Sequence, residues 1–267
     1  MNEAALRALA AQWLAEERHA VLVQVLDTRG SVPREAGTRM LVAADEVIGT
    51  IGGGHLEWQA VARARDLLAA GNTANQEQSI ALGPTLGQCC GGALTLAYSP
   101  WSAEALAAWP SSPPRFQLQL YGAGHVGRAI VALLAGIDCR VEWIDEREGE
   151  FPPPTNEPPH IQRLCVEPVE AEVANAPPGA CFLILTHSHD LDLRITEAVL
   201  KRGDFGFCGL IGSKTKRARF EHRMQERGIA PEVLGRLTSP IGVPGIVGKQ
   251  PEVVAIAVVA QLLRATS

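Results

Sequence analysis

Residues 116–136 read FQLQLYGAGHVGRAIVALLAG, and this stretch decides the fold. A strand pattern, Phe116–Tyr121, runs directly into Gly122, Gly124 and Gly127 at the GxGxxG spacing. In a strand–turn–helix unit the first glycine permits the tight turn. The second removes a side chain where backbone approaches a phosphate, and the third lets helix and strand pack closely. The helix that follows, Val126–Ala135, carries Val126, Ile130, Val131 and Leu134 on one side. Its start offers free N–H groups and a positive dipole end to an anion. A second strand, Arg140–Asp145, ends in an acid near the place where a carboxylate meets a ribose 2′-hydroxyl. Two features cut across this pattern. Gln117 and Gln119 interrupt the strand's apolar character, and His125 is bulky for a phosphate loop.

Downstream the same rhythm continues. Cys181–Thr186 and Phe205–Ile211 read as strands, and Leu193–Arg202, Lys214–Arg227 and Glu252–Arg264 as helices. Alternation of this kind predicts a Rossmann-like parallel-sheet domain over residues 116–267. The proline-rich stretch Phe151–His160 reads as an irregular surface loop. Upstream the order differs. A helix from Ala4 to about Glu17 leads to strands at Ala20–Leu26, Met40–Val42 and Val47–Ile51, a helix His55–Ala70, and a strand Ala93–Tyr98. This predicts a smaller α+β domain over residues 1–110. Residues 111–115 hold Ser111, Ser112, Pro113 and Pro114 and read as a linker.

The chain has 267 residues, 46% hydrophobic and 20% charged, the composition of a globular protein with a real core. A net charge of −5 argues against a general nucleic-acid binder. Nothing resembles an export signal, and the apolar run Val253–Leu263 is too short to span a bilayer, so no membrane partner and a cytoplasmic location are expected.

Several polar constellations surround the predicted strand ends. Thr186-His187-Ser188-His189-Asp190-Leu191-Asp192 follows an apolar strand. Its histidines suggest a metal site of the HxHxDH kind, but Leu191 and Asp192 stand where that motif needs Asp and His. The milder reading is a hydrogen-bonded rim, with Asp190 or Asp192 capping the next helix. Gly212-Ser213-Lys214-Thr215-Lys216-Arg217 opens a helix with Ser213 as N-cap. Basic residues there oppose the helix dipole. They suit either a bound anion, with Ser213 and Lys214 as contacts, or a solvated face. In the first half, Gly52, Gly53 and Gly54 precede a helix and read either as an anion-binding turn or as a packing turn.

Six cysteines occur. Cys139, Cys165, Cys181 and Cys208 are read as small buried side chains. Gln88-Cys89-Cys90-Gly91-Gly92 is different, because flanking glycines leave the sulfurs reachable. A reachable thiolate binds a soft metal or exchanges sulfur. Cys90 is the first choice.

These pieces, in this order, resemble the XdhC/CoxI family of accessory proteins for molybdenum hydroxylases. The matching stretches are Gly30–Arg34, Ile48–Glu57, Leu86–Gly92, Tyr121–Arg128, Thr186–Asp192 and Gly209–Arg219. The tail matches through Pro240-Ile241-Gly242 and departs at Val243-Pro244-Gly245. The resemblance implies a chaperone rather than an enzyme. Such a protein binds molybdenum cofactor, supports its sulfuration with a cysteine desulfurase, and inserts it into apo xanthine dehydrogenase. It also implies contact with molybdenum cofactor biosynthesis proteins and a homodimer. The expected cofactor-binding residues are Gln88, Cys89, Cys90, Gly53, Gly54, Gly122, Gly124, His125, Gly127, Asp145, His187, His189, Ser213 and Lys214, with Cys90 touching molybdenum. The alternative reading is an NAD(P)-dependent oxidoreductase using the glycine loop. It leaves the cysteine pair unexplained, so no NAD chemistry is expected.

Overall fold

The computed structural model describes residues 3–71, 74–82, 91–110, 113–153 and 158–267. The chain divides into two compact units, Glu3–Ser112 and Pro113–Ser267.

The first unit is built on an antiparallel sheet of five strands: β1 (Ala20–Arg29), β2 (Arg39–Ala43), β3 (Val47–Gly49), β4 (Gln76–Ala81) and β5 (Ala93–Pro100). Their spatial order is β3-β2-β1-β5-β4. Helix α2 (Gly54–Ala69) covers one face. Val21, Val23 and Val25 of β1 bury there with Leu56, Ala60 and Ala64. The alternate residues Ala20 and Leu22 face the other way, into a cluster with Leu6, Ala10 and Trp13 of α1 (Glu3–Ala15). Because β1 buries both faces, it reads as a near-continuous apolar run rather than an alternating one. β4 is an edge strand whose residues alternate between half-buried and exposed. Its sequence, Gln-Glu-Gln-Ser-Ile-Ala, lacks the apolar signal, and the sequence reading does not include it.

The stretch after β5 belongs to this unit. It forms α3 (Ala103–Ala108), capped by Ser102, whose hydroxyl accepts from the Ala105 N–H. Trp101 and Trp109 flank it and are buried against α1. Trp101 Nε1 donates to the Ala10 carbonyl at 3.2 Å, and Trp109 Nε1 to Glu3 at 3.2 Å. Of the expected linker, residues 111–112 lie outside the described residues. Arg115 already joins the second unit, its N–H bonded to the Asp138 carbonyl at 3.0 Å.

The second unit is a six-stranded parallel sheet flanked by helices. Its strands are β6 (Gln117–Tyr121), β7 (Arg140–Asp145), β8 (Ile161–Cys165), β9 (Cys181–Ile184), β10 (Phe207–Leu210) and β11 (Leu237–Thr238). The order β11-β10-β9-β6-β7-β8 is the doubly wound arrangement of a Rossmann fold. The chain starts in the middle at β6, runs outward to β8, then returns to β9 and runs outward again. The switch point, where ligands of such sheets gather, therefore lies between β6 and β9. Helices α4 (His125–Leu134) and α8 (Pro251–Ala265) pack together on one core cluster. Helices α5 (His189–Arg202) and α6 (Lys214–Glu226) pack on the other, and a short α7 (Pro231–Leu234) follows them.

Gln119 resolves the anomaly in the first strand. It is buried, and its amide is spoken for. Nε2 donates to Glu142 and to the Glu172 carbonyl, each at 2.8 Å, while Oε1 accepts from the Tyr121 hydroxyl at 2.7 Å. A buried amide satisfied in this way is tolerated in a central strand. Cys139, Cys181 and Cys208 are buried as expected, but Cys165 is exposed. It ends the edge strand β8, where the sheet has no further neighbour to cover it.

Candidate functional site

In the second unit the three loop glycines hold three distinct roles. Gly122 has φ +121°, and a β-carbon there would lie 2.4 Å from the Leu185 carbonyl oxygen. A β-carbon on Gly127 would lie 2.1 Å from the Gly122 carbonyl oxygen. Gly124 has open space where its β-carbon would stand. It is the N-cap of α4 and supplies no side-chain hydrogen bond. The N-cap thus gives the first-turn N–H groups of α4 no side-chain acceptor and leaves a cradle at Gly124. His125, the first residue of the helix, is exposed beside this cradle.

Asp145 occupies a different place from the one expected. It is buried, and both carboxylate oxygens are engaged within the protein. Oδ2 accepts from the Ala123 N–H at 2.7 Å and from Arg147 Nη2 at 3.0 Å. Oδ1 accepts from the Arg147 N–H and Nε, each at 3.0 Å. Burial works to raise its pKa, but these hydrogen bonds outweigh it and hold the carboxyl below its usual range. Asp145 is a brace behind the loop rather than a side chain held out to a ribose. Arg128 braces the other side, its Nε donating to the Ala123 carbonyl at 2.9 Å. Neither brace involves the open Gly124 position.

Across the switch point, His187 is 42% exposed in its side chain, with Nε2 3.6 Å from Glu146 Oε1. The crevice between them is lined by Tyr121, Gly122, Asp145, Glu146, Thr186 and His187. His189 is exposed at the start of α5. Among the described residues no group of three His, Cys, Asp or Glu side chains is placed to hold a metal. The cap of α5 is Ser188, whose hydroxyl accepts from the Leu191 N–H, and neither Asp190 nor Asp192.

Asp192 has another task. It is fully buried and accepts from the Thr186 N–H at 3.0 Å and the Thr186 hydroxyl at 2.7 Å. Its second oxygen forms an ion pair with Lys216 Nζ, which also donates to the Ile211 carbonyl at 2.9 Å. Lys216 is therefore buried and belongs neither to a solvated face nor to an anion site. The lysine stem passes over Gly212, where a β-carbon would lie 2.6 Å from Lys216 Cδ. One ion pair thus locks the loops after β9 and β10. Ser213 caps α6, accepting from the Lys216 N–H at 3.2 Å, and Lys214 is exposed beside it.

In the first unit, Gly52, Gly53 and Gly54 all have positive φ (124°, 77° and 66°). Their turn already holds an anion of its own. Glu57 Oε2 accepts from the Ile51 N–H at 2.9 Å, the Gly53 N–H at 3.1 Å and the Thr50 hydroxyl at 2.5 Å. The Gly52 N–H donates to the Thr50 hydroxyl at 3.1 Å. Gly53 therefore serves the turn, not an external phosphate. A β-carbon on Gly52 would lie 2.7 Å from Pro33 Cβ, so the Gly30–Arg34 segment lies directly on this turn. A β-carbon on Gly92 would lie 2.4 Å from the Ser31 carbonyl oxygen and 2.5 Å from that of Arg29. The Gly92 carbonyl in turn accepts from the Leu82 N–H at 2.8 Å. Gln88, Cys89 and Cys90 lie outside the described residues. Gly91 and Gly92, which follow them, lie against Gly30 and Ser31.

The acid Glu57, in the first turn of α2, and the Asp192–Lys216 pair escaped the sequence reading. An acid shortly after three glycines is the signal that identifies Glu57. The lysine and aspartate stand 24 residues apart, and no local pattern links them.

An antiparallel α/β unit joined to a Rossmann-type unit, each carrying glycine-built turns, defines the class of protein. The XdhC Rossmann domain profile matches residues 118–262, and the XdhC and CoxI family profile matches residues 13–78. The chain belongs to the XdhC and CoxI family. It is 31% identical over 258 residues to the uncharacterized protein YqeB of Escherichia coli (strain K12), across 91% of this chain and 43% of that protein. The chain thus spans less than half the length of that relative. A crystal structure from Bacillus halodurans, named as a xanthine dehydrogenase, shares the fold. Its TM-score is 0.76 at 19% identity, over 97% of this chain and 95% of that one.

Proposed function

We propose that this chain is a non-catalytic carrier of molybdenum cofactor. It protects the cofactor, supports its sulfuration by a cysteine desulfurase, and inserts it into apo xanthine dehydrogenase. The observation that carries the reading is the convergence in the first unit of Gly30–Arg34, Gly52–Gly54 and Gly91–Gly92, which directly follow Cys89-Cys90 in sequence. Contacts this close fix Gly92, two residues after Cys90, and a reachable thiolate binds a soft metal. The cargo is a pterin bearing a phosphate and a dithiolene-held metal. Cys90, with Cys89 as neighbour, is the contact to molybdenum, and Gln88 stands beside the pair. The open Gly124 cradle, with His125, is suited to an anion of its own, separate from the cargo held by the first unit. His187, His189, Ser213 and Lys214 surround the same sheet end with exposed polar groups.

The oxidoreductase reading requires Asp145 to meet a ribose, and that carboxylate is committed to Ala123 and Arg147. Work in the cytoplasm as a homodimer, handing cargo from biosynthesis proteins to the client enzyme, completes the proposal. Among the described residues no helix is long and apolar enough to cross a membrane. The test is to purify the chain from cells making the cofactor and to assay molybdenum and pterin. Near-stoichiometric content of both is expected, and an empty protein contradicts the proposal.

A further inference from the structure

Of the chain's five tryptophans, four are buried, and Trp58 is 66% exposed. It stands on α2 just past the Gly52–Gly54 turn. Its ring stacks on His55, with centroids 5.4 Å and planes 20° apart. His55 is itself held, its Nε2 lying 3.0 Å from Gln59 Nε2. The helix start beneath them is fixed by the three hydrogen bonds to Glu57 Oε2. A large aromatic face kept in solvent on a rigid support is a contact surface rather than a packing element.

The surroundings narrow what it contacts. Arg34 is exposed, and its stem lies on the same turn, where a β-carbon on Gly52 would be 3.4 Å from Arg34 Cγ. Among the described residues its guanidinium has no carboxylate or hydrogen-bond partner. The Gly30–Arg34 segment that carries it also lies against Gly92, through the Ser31 carbonyl. An open ring face in the first turns of α2, and an exposed guanidinium over the glycine turn that opens that helix, suit a flat heteroaromatic ring with a phosphate ester. Stacking takes the ring, and the planar fork of arginine takes the phosphate.

We propose that Trp58 and Arg34 form a subsite for the pterin and phosphate of the cargo, in the first unit rather than in the Rossmann loop. The inference rests on the carrier reading above. It gives that reading a location and separates the ring-holding residues from the metal-holding thiols. A protein partner seated on Trp58 is the competing occupant. The exposed Arg34 cation over the turn favours the small anionic ligand.

The test is calorimetric titration of the cargo-free full chain with 6-hydroxymethylpterin and with its phosphate ester. Trp58→Ala is expected to weaken both ligands about ten-fold, while Trp58→Phe keeps most of the affinity. Arg34→Ala is expected to weaken only the phosphorylated ligand. Equal affinity of wild type and Trp58→Ala overturns the subsite. So does a Trp58→Ala protein that binds pterin normally but fails to deliver cargo, which assigns the ring to a protein contact. Molybdenum content after growth in cofactor-producing cells separates the two levels. A loaded wild type with equally loaded Trp58→Ala removes the subsite and leaves the carrier reading standing. A wild type that is empty and binds neither pterin removes both.

Discussion

Asp145 accepts a hydrogen bond from the backbone of Ala123 at 2.7 Å, inside the glycine loop that the same residue was expected to complete with a ligand. Hydrogen bonds to a charged group contribute about 2 kcal/mol each when buried. Asp145→Asn is therefore expected to lower stability by about that amount at pH 7. The carboxyl is held below its ordinary range in the folded state. Its contribution is then fully present above the unfolded value of about 3.9 and is lost as pH falls through the folded one. Denaturant unfolding from pH 7 to pH 3 checks this. The gap between wild type and variant should narrow below about pH 3.9, and a constant gap argues against the brace.

Gly127 and Gly124 separate packing from binding. Gly127→Ala forces a β-carbon onto the Gly122 carbonyl and is expected to cost about 1–3 kcal/mol. Gly124→Ala meets nothing and has an ordinary backbone conformation, φ −69°. It should leave the melting temperature unchanged while filling the cradle at α4. Thermal melts together with binding of inorganic phosphate distinguish the two.

Lys216→Met leaves Asp192 charged, buried and without its partner. The expected loss is about 3–5 kcal/mol. Asp192→Asn combined with Lys216→Met removes the charge while retaining an acceptor for Thr186, and should be more stable than Lys216→Met alone. Equilibrium unfolding of wild type, Asp192→Asn, Lys216→Met and the double variant measures this. Additive losses would show that the two residues act independently.

Thiol reactivity divides the cysteines. Burial pushes the thiols of Cys139 and Cys208 up to about 12 and that of Cys181 up to about 11. In the native chain these three should resist an aromatic disulfide reagent at neutral pH, and exposed Cys165 should react. In Cys165→Ser the remaining fast reactivity belongs to Cys89 and Cys90, and bound cargo should suppress it. Fast labelling of Cys208 in the native state would contradict the buried core.

The Rossmann-type unit was legible because its signals are local. Gly122, Gly124 and Gly127 sit between a strand and a helix, and each later strand precedes its helix in the same way. Thr186–Asp192 and Gly212–Lys214 fall at strand ends for the same reason. The side-chain roles were less legible, since a carboxylate's partner is set by the fold. Asp145 faces inward to Ala123, Glu57 fills the glycine turn, and Asp192 meets Lys216 from another helix. β4 was hidden because an edge strand needs little apolar surface. Trp58 carries no sequence signal of its own, and only its exposure distinguishes it.

The most direct test of the carrier role is transfer. The chain is loaded with molybdenum cofactor, freed of unbound cofactor and mixed with apo xanthine dehydrogenase, and the appearance of dehydrogenase activity is followed. Activity should rise with added loaded chain, and chain carrying Cys89→Ala and Cys90→Ala should fail to retain and deliver the cofactor. Activation no better than that by an equal amount of free cofactor, or unimpaired delivery by the double variant, would contradict the account.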